Sequence, residues 1–310
     1  MTSVLDWYGC STFRLRSAGI TVFLDAYIDR VNGAAGPGLV ADDVEDCDWI
    51  VIGHSHFDHL WGAERIMANT GAQLIGSYET VRLLEEVGVP LDRMICVGGG
   101  ERIDLGNDVT VSVYPSLHSC LWTGTHDAGA GDVCIGELGV TWHERARRMR
   151  ELGSRLARTL DDRAIEHLIG AASAHSDRGD GTALVYLFEL PEGTLLFQDT
   201  SGHWAPIFEA LDPDVAVLAA AGRANVDGEP VQGSLAAFIA EEARALGASR
   251  VILGHHDNWL PGFASAPDVE PIRRALRERA PGAVLLEPSY LEGTPVFEGL
   301  GHAPNDAPIG

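Results

Sequence analysis

The 310-residue chain contains no lysine; all 22 of its basic residues are arginine. Set against 45 Asp and Glu, they leave a formal net charge of −23. Nucleic acid and anionic membrane surfaces are polyanions, so neither is expected as a partner. The balance reads as a solvated acidic surface in an arginine-biased composition. No stretch reaches the ~18 consecutive apolar residues of a membrane-spanning helix. The opening Met1-Thr2-Ser3-Val4-Leu5-Asp6 has no basic segment followed by an apolar one, so a cytoplasmic protein is expected. Cysteine is sparse: Cys10, Cys47, Cys96, Cys120 and Cys134 show no C-x-x-C spacing. An odd, scattered set implies reduced thiols rather than a disulfide framework. Only Cys120 lies close in sequence to a candidate ligand, and free cysteine usually packs as a small buried hydrophobe.

What the chain does hold is 45 % hydrophobic residues, ample for a sizeable core. The spacing predicts a strand meander over residues 3–25 and a Gly- and Asp-rich loop over 31–46. Strands and helices then alternate up to His118. A Gly-rich loop (Gly124, Gly129, Gly131) follows, then a long helical stretch, 142–171. That stretch carries seven arginines, Arg145, Arg147, Arg148, Arg150, Arg155, Arg158 and Arg163, against five acids, and so stands at +2. It reads as a solvated face or oligomer contact, or else as a cap that draws an anionic substrate to a site. From Thr182 the alternation resumes and runs to a last strand at 284–286. We expect one domain over 1–298 with a helical insertion at 119–180, and a tail over 299–310.

Four metal-competent side chains fall within His54-Ser55-His56-Phe57-Asp58-His59. They follow the apolar run Trp49-Ile50-Val51-Ile52-Gly53 and precede a helical pattern, so they occupy a strand-to-helix turn, where α/β sheets place ligands. Imidazoles and a carboxylate held this close suit a borderline-soft dication such as zinc. Three further candidates each follow a predicted strand: His118, Asp199, and His255 or His256. Strand ends along one sheet edge converge in space. One metal set would be His54, His56 and His118; the other Asp58, His59 and His255, with Asp199 between the ions. Two such ions can carry a hydroxide and clamp the oxygens of a displacement. His255 directly follows its strand and is taken as the last ligand, leaving His256 to face substrate.

At these residues the chain resembles the metallo-β-lactamase-fold hydrolases, whose HxHxDH motif His54 to His59 matches. His118, Asp199 and His255 are similar in order and context to the later metal positions. The likeness covers about residues 3–118 and 182–290. The opening Leu5-Asp6-Trp7-Tyr8-Gly9-Cys10-Ser11-Thr12-Phe13 and the strand Val251-Ile252-Leu253-Gly254-His255 look nearest the L-ascorbate-6-phosphate lactonase-like branch. The resemblance implies a mixed α/β, four-layer αββα sandwich, two divalent ions (zinc, with manganese or iron in some members) and hydrolysis. The chain departs from the pattern at Trp61, at Gln198 and at the His255-His256 doublet.

The expected chemistry is attack by a metal-bridging hydroxide on a lactone or other ester. Phosphodiester or amide cleavage, iron-dependent redox chemistry, and a metal-stabilised binding protein are the alternatives. Asp58 would serve as ligand and as the acceptor that orients the nucleophile, and His256 or His203 would protonate the leaving group. Asp25 would support a ligand imidazole. Trp61, Trp122, Trp259 and His203 are expected to line the substrate pocket, with Phe263 beside them. His126, His143, His167, His175 and His302 are expected to have no catalytic role. The partner would be a small molecule, and a homo-oligomer would form through or near the insertion.

Overall fold

The structure is a computed structural model and describes residues 2–122, 134–173 and 179–300. Strands Val4–Gly9, Thr12–Ser17 and Ile20–Leu24 form the antiparallel meander. Ala18 and Gly19 both take positive φ and close the second hairpin in two residues, as the twist of paired strands favours. Beyond Leu24 the sheet turns parallel, adding Trp49–Val51, Gln73–Gly76 and Met94–Cys96. Helices Ala63–Thr70 and Tyr78–Glu86 provide the crossovers. Ser77 caps the second by accepting from Thr80 N–H, and Gly71 ends the first at φ 79°.

A second seven-stranded sheet runs Val284–Leu286, Arg250–Gly254, Val215–Ala219, Gly193–Gln198, Leu184–Leu190, Val109–Pro115, Arg102–Gly106. Alternation within one strand shows why it faces inward: Val109, Val111 and Val113 are buried while Thr110, Ser112 and Tyr114 are partly exposed. Those valines meet Leu5, Phe13 and Leu15 of the first sheet, with Tyr186, Phe188 and Phe197, in a core between the sheets. Each buried Phe or Leu removes apolar area worth roughly 1.5–3 kcal/mol. Outside the first sheet Ile66, Met67, Leu83 and Leu84 cover Ile50 and Leu74. Outside the second, helices Leu235–Leu246 and Glu270–Arg279 cover Ala216, Leu218 and Val251. The result is the four-layer αββα arrangement.

The structure differs from expectation in four places. The helix expected at Leu60–Met67 is a single turn, Phe57–Leu60, then Ala63–Thr70. Gly62 breaks it at φ 120°, where a Cβ would lie 2.6 Å from the Ala26 carbonyl oxygen. The stretch 142–171 is two helices, Trp142–Thr159 and Asp162–Ser173. Asp161 starts the second by accepting from Ala164 N–H at 2.8 Å. In the alternation after Thr182, the helical pattern over residues 204–211 gives only the single turn Ala205–Phe208. An edge strand at Thr294–Pro295, unforeseen because of its proline, pairs with Val4 and Leu5. Among the described residues no helix is long and apolar enough to cross a membrane.

The insertion arginines pair locally. Arg147 and Arg148 bond Glu144, and Arg145 bridges Glu137 and Asp180. Two of its apolar residues reach the core: Leu160 and Ala164 are buried with Tyr27, Val31, Trp259 and Leu260, while Trp142 and Ile169 stay exposed. The Gly124, Gly129 and Gly131 loop lies outside the described residues, as do His126, His175, His302 and the tail from 301.

Candidate metal centre

The site is built on strand ends. Strand Trp49–Val51 runs into Gly53, whose N–H donates to Asp25 Oδ1 at 3.0 Å and whose carbonyl accepts from Leu184 N–H at 2.8 Å. The chain then enters the single helical turn with His56 as its N-cap, which buries Asp58 and His59. Gly53 has a stricter duty. A Cβ there would overlap Cγ and Oδ2 of Asp199 and come within 2.6 Å of its Oδ1. The Asp199 carboxylate therefore lies directly on the Gly53 Cα.

Three sets of ligand atoms converge, each within 4.8 Å of one another: His54, His56 and His118; His54, His59 and Asp199; Cys10, Asp58 and His255. His54 Nε2 lies 3.0 Å from His56 Nδ1, and its Nδ1 lies 2.6 Å from Asp199 Oδ2. His118 Nδ1 is 2.7 Å from the Ser119 carbonyl oxygen, which leaves Nε2 for the cluster. Asp58 Oδ2 is 3.3 Å from His255 Nε2 and 3.6 Å from His59 Nε2. Asp25 anchors His59 by its far nitrogen: Oδ2 lies 2.7 Å from His59 Nδ1 and accepts from Ser11 Oγ at 2.7 Å. Such a carboxylate orients a ligand imidazole and raises its basicity.

The electrostatics favour a cation. Burial, then neighbouring His59, His56 and His118, hold His54 well below the ordinary imidazole range, so the neutral ring keeps one nitrogen lone pair for a ligand bond. Burial and then His56 likewise lower His118. Asp199 is pushed well up by burial and by Asp25. Burial opposes ionisation of Asp58 too, but His59 and His255 outweigh it and hold it below the usual carboxylate range. His59, despite burial, is raised to about 9 by Asp58, Asp25 and Asp199. Asp58 and Asp25 foremost thus hold a proton on His59, a positive charge that a divalent ion would replace.

The donor set fits metal on two further counts. Asp199 Oδ1 is buried without a hydrogen-bond partner, while Oδ2 is engaged by His54 and lies 3.3 Å from His59 Nδ1. An orphaned buried carboxylate oxygen is costly unless a cation meets it. The donor separations of 3.0, 3.3 and 3.6 Å bracket the roughly 3.3 Å edge of a tetrahedron with zinc–nitrogen bonds of 2.0–2.1 Å.

The structure separates the His255-His256 doublet. His255 takes φ 59°, which turns its ring to Asp58. His256 stacks on Trp7, centroids 4.3 Å apart, and joins none of the three sets; burial lowers its pKa to about 4. His203 also lies elsewhere. Its Nδ1 is 2.8 Å from Glu242 and its ring stacks on Phe208 at 4.1 Å, in the outer helical layer. His203 is thus bonded to Glu242, while His256 keeps a buried Nδ1 without a hydrogen-bond partner. Trp259 lies edge-on to His255 at 5.4 Å and to Tyr27 at 5.8 Å. Trp61 stacks near Tyr27 and lies edge-on to His167 at 5.0 Å. Trp122 pairs through its backbone with Cys134 in a short two-stranded ladder. Cys120, given a possible role for its neighbourhood, is buried with its Sγ 3.8 Å from the Ala224 carbonyl oxygen.

Two residues escaped the sequence reading. Cys10 lies in the turn after the first strand, beside His255, and only its strand-end position could have flagged it. His167 reaches from the insertion to Tyr27, Nε2 to OH 2.7 Å. Nothing in a helix of alternating charge marks that contact.

The two-sheet αββα sandwich carrying this HxHxDH turn is similar in fold to the metallo-β-lactamase proteins. Residues 21–136 match the family model described as a beta-lactamase superfamily domain. A "UPF0173 metal-dependent hydrolase" of Pyrobaculum calidifontis is 31 % identical over 139 residues, 45 % of this chain and 59 % of that protein. The chain thus matches less than two thirds of the length of this curated relative. Among solved structures, Igni18, a metallo hydrolase of Ignicoccus hospitalis, superposes with TM-score 0.60 at 17 % identity, covering 95 % of this chain and 98 % of that one. CmlA, a diiron β-hydroxylase of Streptomyces venezuelae, superposes with TM-score 0.54 at 16 % identity, covering 95 % and 54 %. At these identities the structural likenesses speak for the fold.

Proposed function

We propose that the protein is a metal-dependent hydrolase with two divalent ions, zinc first among them, acting on a lactone or other ester. The observation that carries this is the presence of three ligand sets, one of which contains Asp199 with its orphaned Oδ1. When bound, such ions supply a hydroxide nucleophile near neutral pH and a Lewis acid for the oxygen that becomes negative.

The chain's own residues do the rest. His54, His56 and His118 hold one position; Asp58, His59 and His255 hold the other, and Asp199 faces both. Asp25 and Ser11 lock the His59 ring by its Nδ1, so it cannot swing when charge changes in the site. Asp58, ionised through its imidazole neighbours, accepts a hydrogen bond and orients the attacking oxygen. Tyr27, Phe57, Trp61 and Trp259 form an aromatic wall beside His255, closed by the insertion through Leu160 and Ala164. An apolar wall in a protein of charge −23 favours a neutral, apolar-bodied ester over a phosphodiester.

The test is a panel of lactones, carboxylic esters, phosphodiesters, amides and β-lactams with protein loaded separately with zinc, manganese and iron. Lactone or ester turnover above the others supports the reading; turnover confined to phosphodiesters overturns the substrate class. The likeness to CmlA favours a second reading, iron-dependent oxygen chemistry. Dioxygen uptake by the iron-loaded protein, without hydrolysis by any form, would select it.

A further inference from the structure

Cys10 is fully buried, with Sγ 3.6 Å from His255 Nε2 and 3.7 Å from His255 Nδ1. Cys10, Asp58 and His255 each present a ligand atom within 4.8 Å of the other two. The backbone is bent to bring the thiol there. Cys10 takes φ 51°, a left-handed conformation that costs a non-glycine residue of order 1–3 kcal/mol unless its surroundings enforce it. They do so here from three sides. The Cys10 N–H donates to the Asp257 carboxylate at 3.1 Å, and its carbonyl accepts from His255 N–H at 2.7 Å and from Trp7 Nε1 at 3.1 Å. Asp257 is itself held by Tyr290 OH at 2.8 Å. Residues 10 and 255, both at positive φ, are thus tied backbone to backbone with their side chains together. The thiol's acceptor, the Asp58 carbonyl oxygen, is distant at 3.7 Å. In the adjoining set, sharing the same buried space, stands the unpartnered Asp199 Oδ1.

We propose that Cys10 is a metal ligand, sharing the position of Asp58 and His255 as a thiolate. The inference rests on reading the cluster as a metal centre. It would make the two positions chemically unequal, the one at His54, His56 and His118 without sulfur, the other adding sulfur to carboxylate and imidazole. On binding, the thiol gives up its proton to solvent, a sulfur–metal bond forms and no electron moves. A thiolate selects zinc, cobalt(II) or iron(II) over manganese and magnesium at that position. The competing role is packing, since Cys10 also touches the apolar cluster of Tyr27 and Trp259.

The test uses the full chain, stripped by chelator and reloaded with cobalt(II). The expected spectrum has visible ligand-field bands together with an intense near-ultraviolet sulfur-to-cobalt charge-transfer band. Cys10→Ser should lose the second and keep the first, while Cys47→Ser, Cys96→Ser, Cys120→Ser and Cys134→Ser keep both. Ligand-field bands without charge transfer, or charge transfer that survives Cys10→Ser, overturn the proposal and leave the metal centre standing. Failure to take up cobalt, or zinc in a parallel titration, overturns the metal centre and the ligand together. Zinc-edge X-ray absorption on the unsubstituted protein gives an arm that needs no variant. It should show a sulfur scatterer at about 2.3 Å, and a shell of nitrogen and oxygen alone refutes the assignment.

Discussion

Gly53→Ala adds one methyl group, and its effect follows from the geometry. Gly53 is not at positive φ, so alanine meets no backbone penalty there. The whole cost is steric: the new Cβ occupies space now filled by the Asp199 carboxylate. The strand end cannot retreat, because Gly53 is tied to Asp25 and Leu184. Asp199 must move instead, losing its bond to His54 and its place facing the metals. Overpacking of this kind costs about 1–3 kcal/mol of fold stability, which a domain of this size tolerates. Metal binding should suffer more. If affinity falls 100-fold from a saturating regime, metal-linked stabilisation drops by about 2.7 kcal/mol. That removes roughly 4 °C of the metal-induced rise in Tm. The assay is calorimetry of stripped and zinc-loaded protein, wild type and variant. A variant whose zinc-induced rise equals that of wild type refutes the reasoning. A double-mutant cycle sharpens it: in an Asp199→Gly background, Gly53→Ala should add almost nothing, since the atoms it collides with are gone.

Asp58→Asn should leave secondary structure intact and abolish hydrolysis; turnover within tenfold of wild type would remove Asp58 from its orienting role. For stripped protein the raised His59 fixes the sign of a pH effect. Its folded pKa of about 9 exceeds the ordinary 6.5, so its contribution is complete below pH 6.5 and lost as pH climbs through 9. Tm of the stripped protein should therefore fall over that window while zinc affinity rises, because the ion displaces the His59 proton; parallel trends would contradict the charge balance described. His203→Ala should cost roughly 1–3 kcal/mol by leaving Glu242 short of a buried partner, without changing metal content; loss of metal at unchanged Tm would place His203 in the site after all.

Much of this was legible in residue order. The alternation of Val109 to Tyr114 encodes an inward face, and the Trp49 to Gly53 run encodes a buried strand ending at a ligand turn. Periodicity is local, and neighbours along the chain suffice to show it. His54, His118, Asp199 and His255 were visible for the same reason, each standing within three residues of a strand end, and Asp58 and His59 follow in the turn that His54 opens. Side-chain direction is different, because it depends on single φ angles and on what packs from elsewhere. His255 and His256 are adjacent and chemically identical. Only the left-handed backbone at 255, and a Trp7 ring positioned by the opposite sheet edge, send one to Asp58 and the other into a stack. His203 sits at a strand end like the ligands, yet Glu242 draws it into the outer layer. Cys10 shows the reverse: unremarked among scattered thiols, it meets His255 because two turns 245 residues apart exchange a backbone hydrogen bond. Sequence by itself determined the inner strands of both sheets and the His and Asp members of the ligand sets, since both follow from short-range pattern. Tertiary structure alone decided which of those residues come together, because that depends on contacts between atoms remote in the chain.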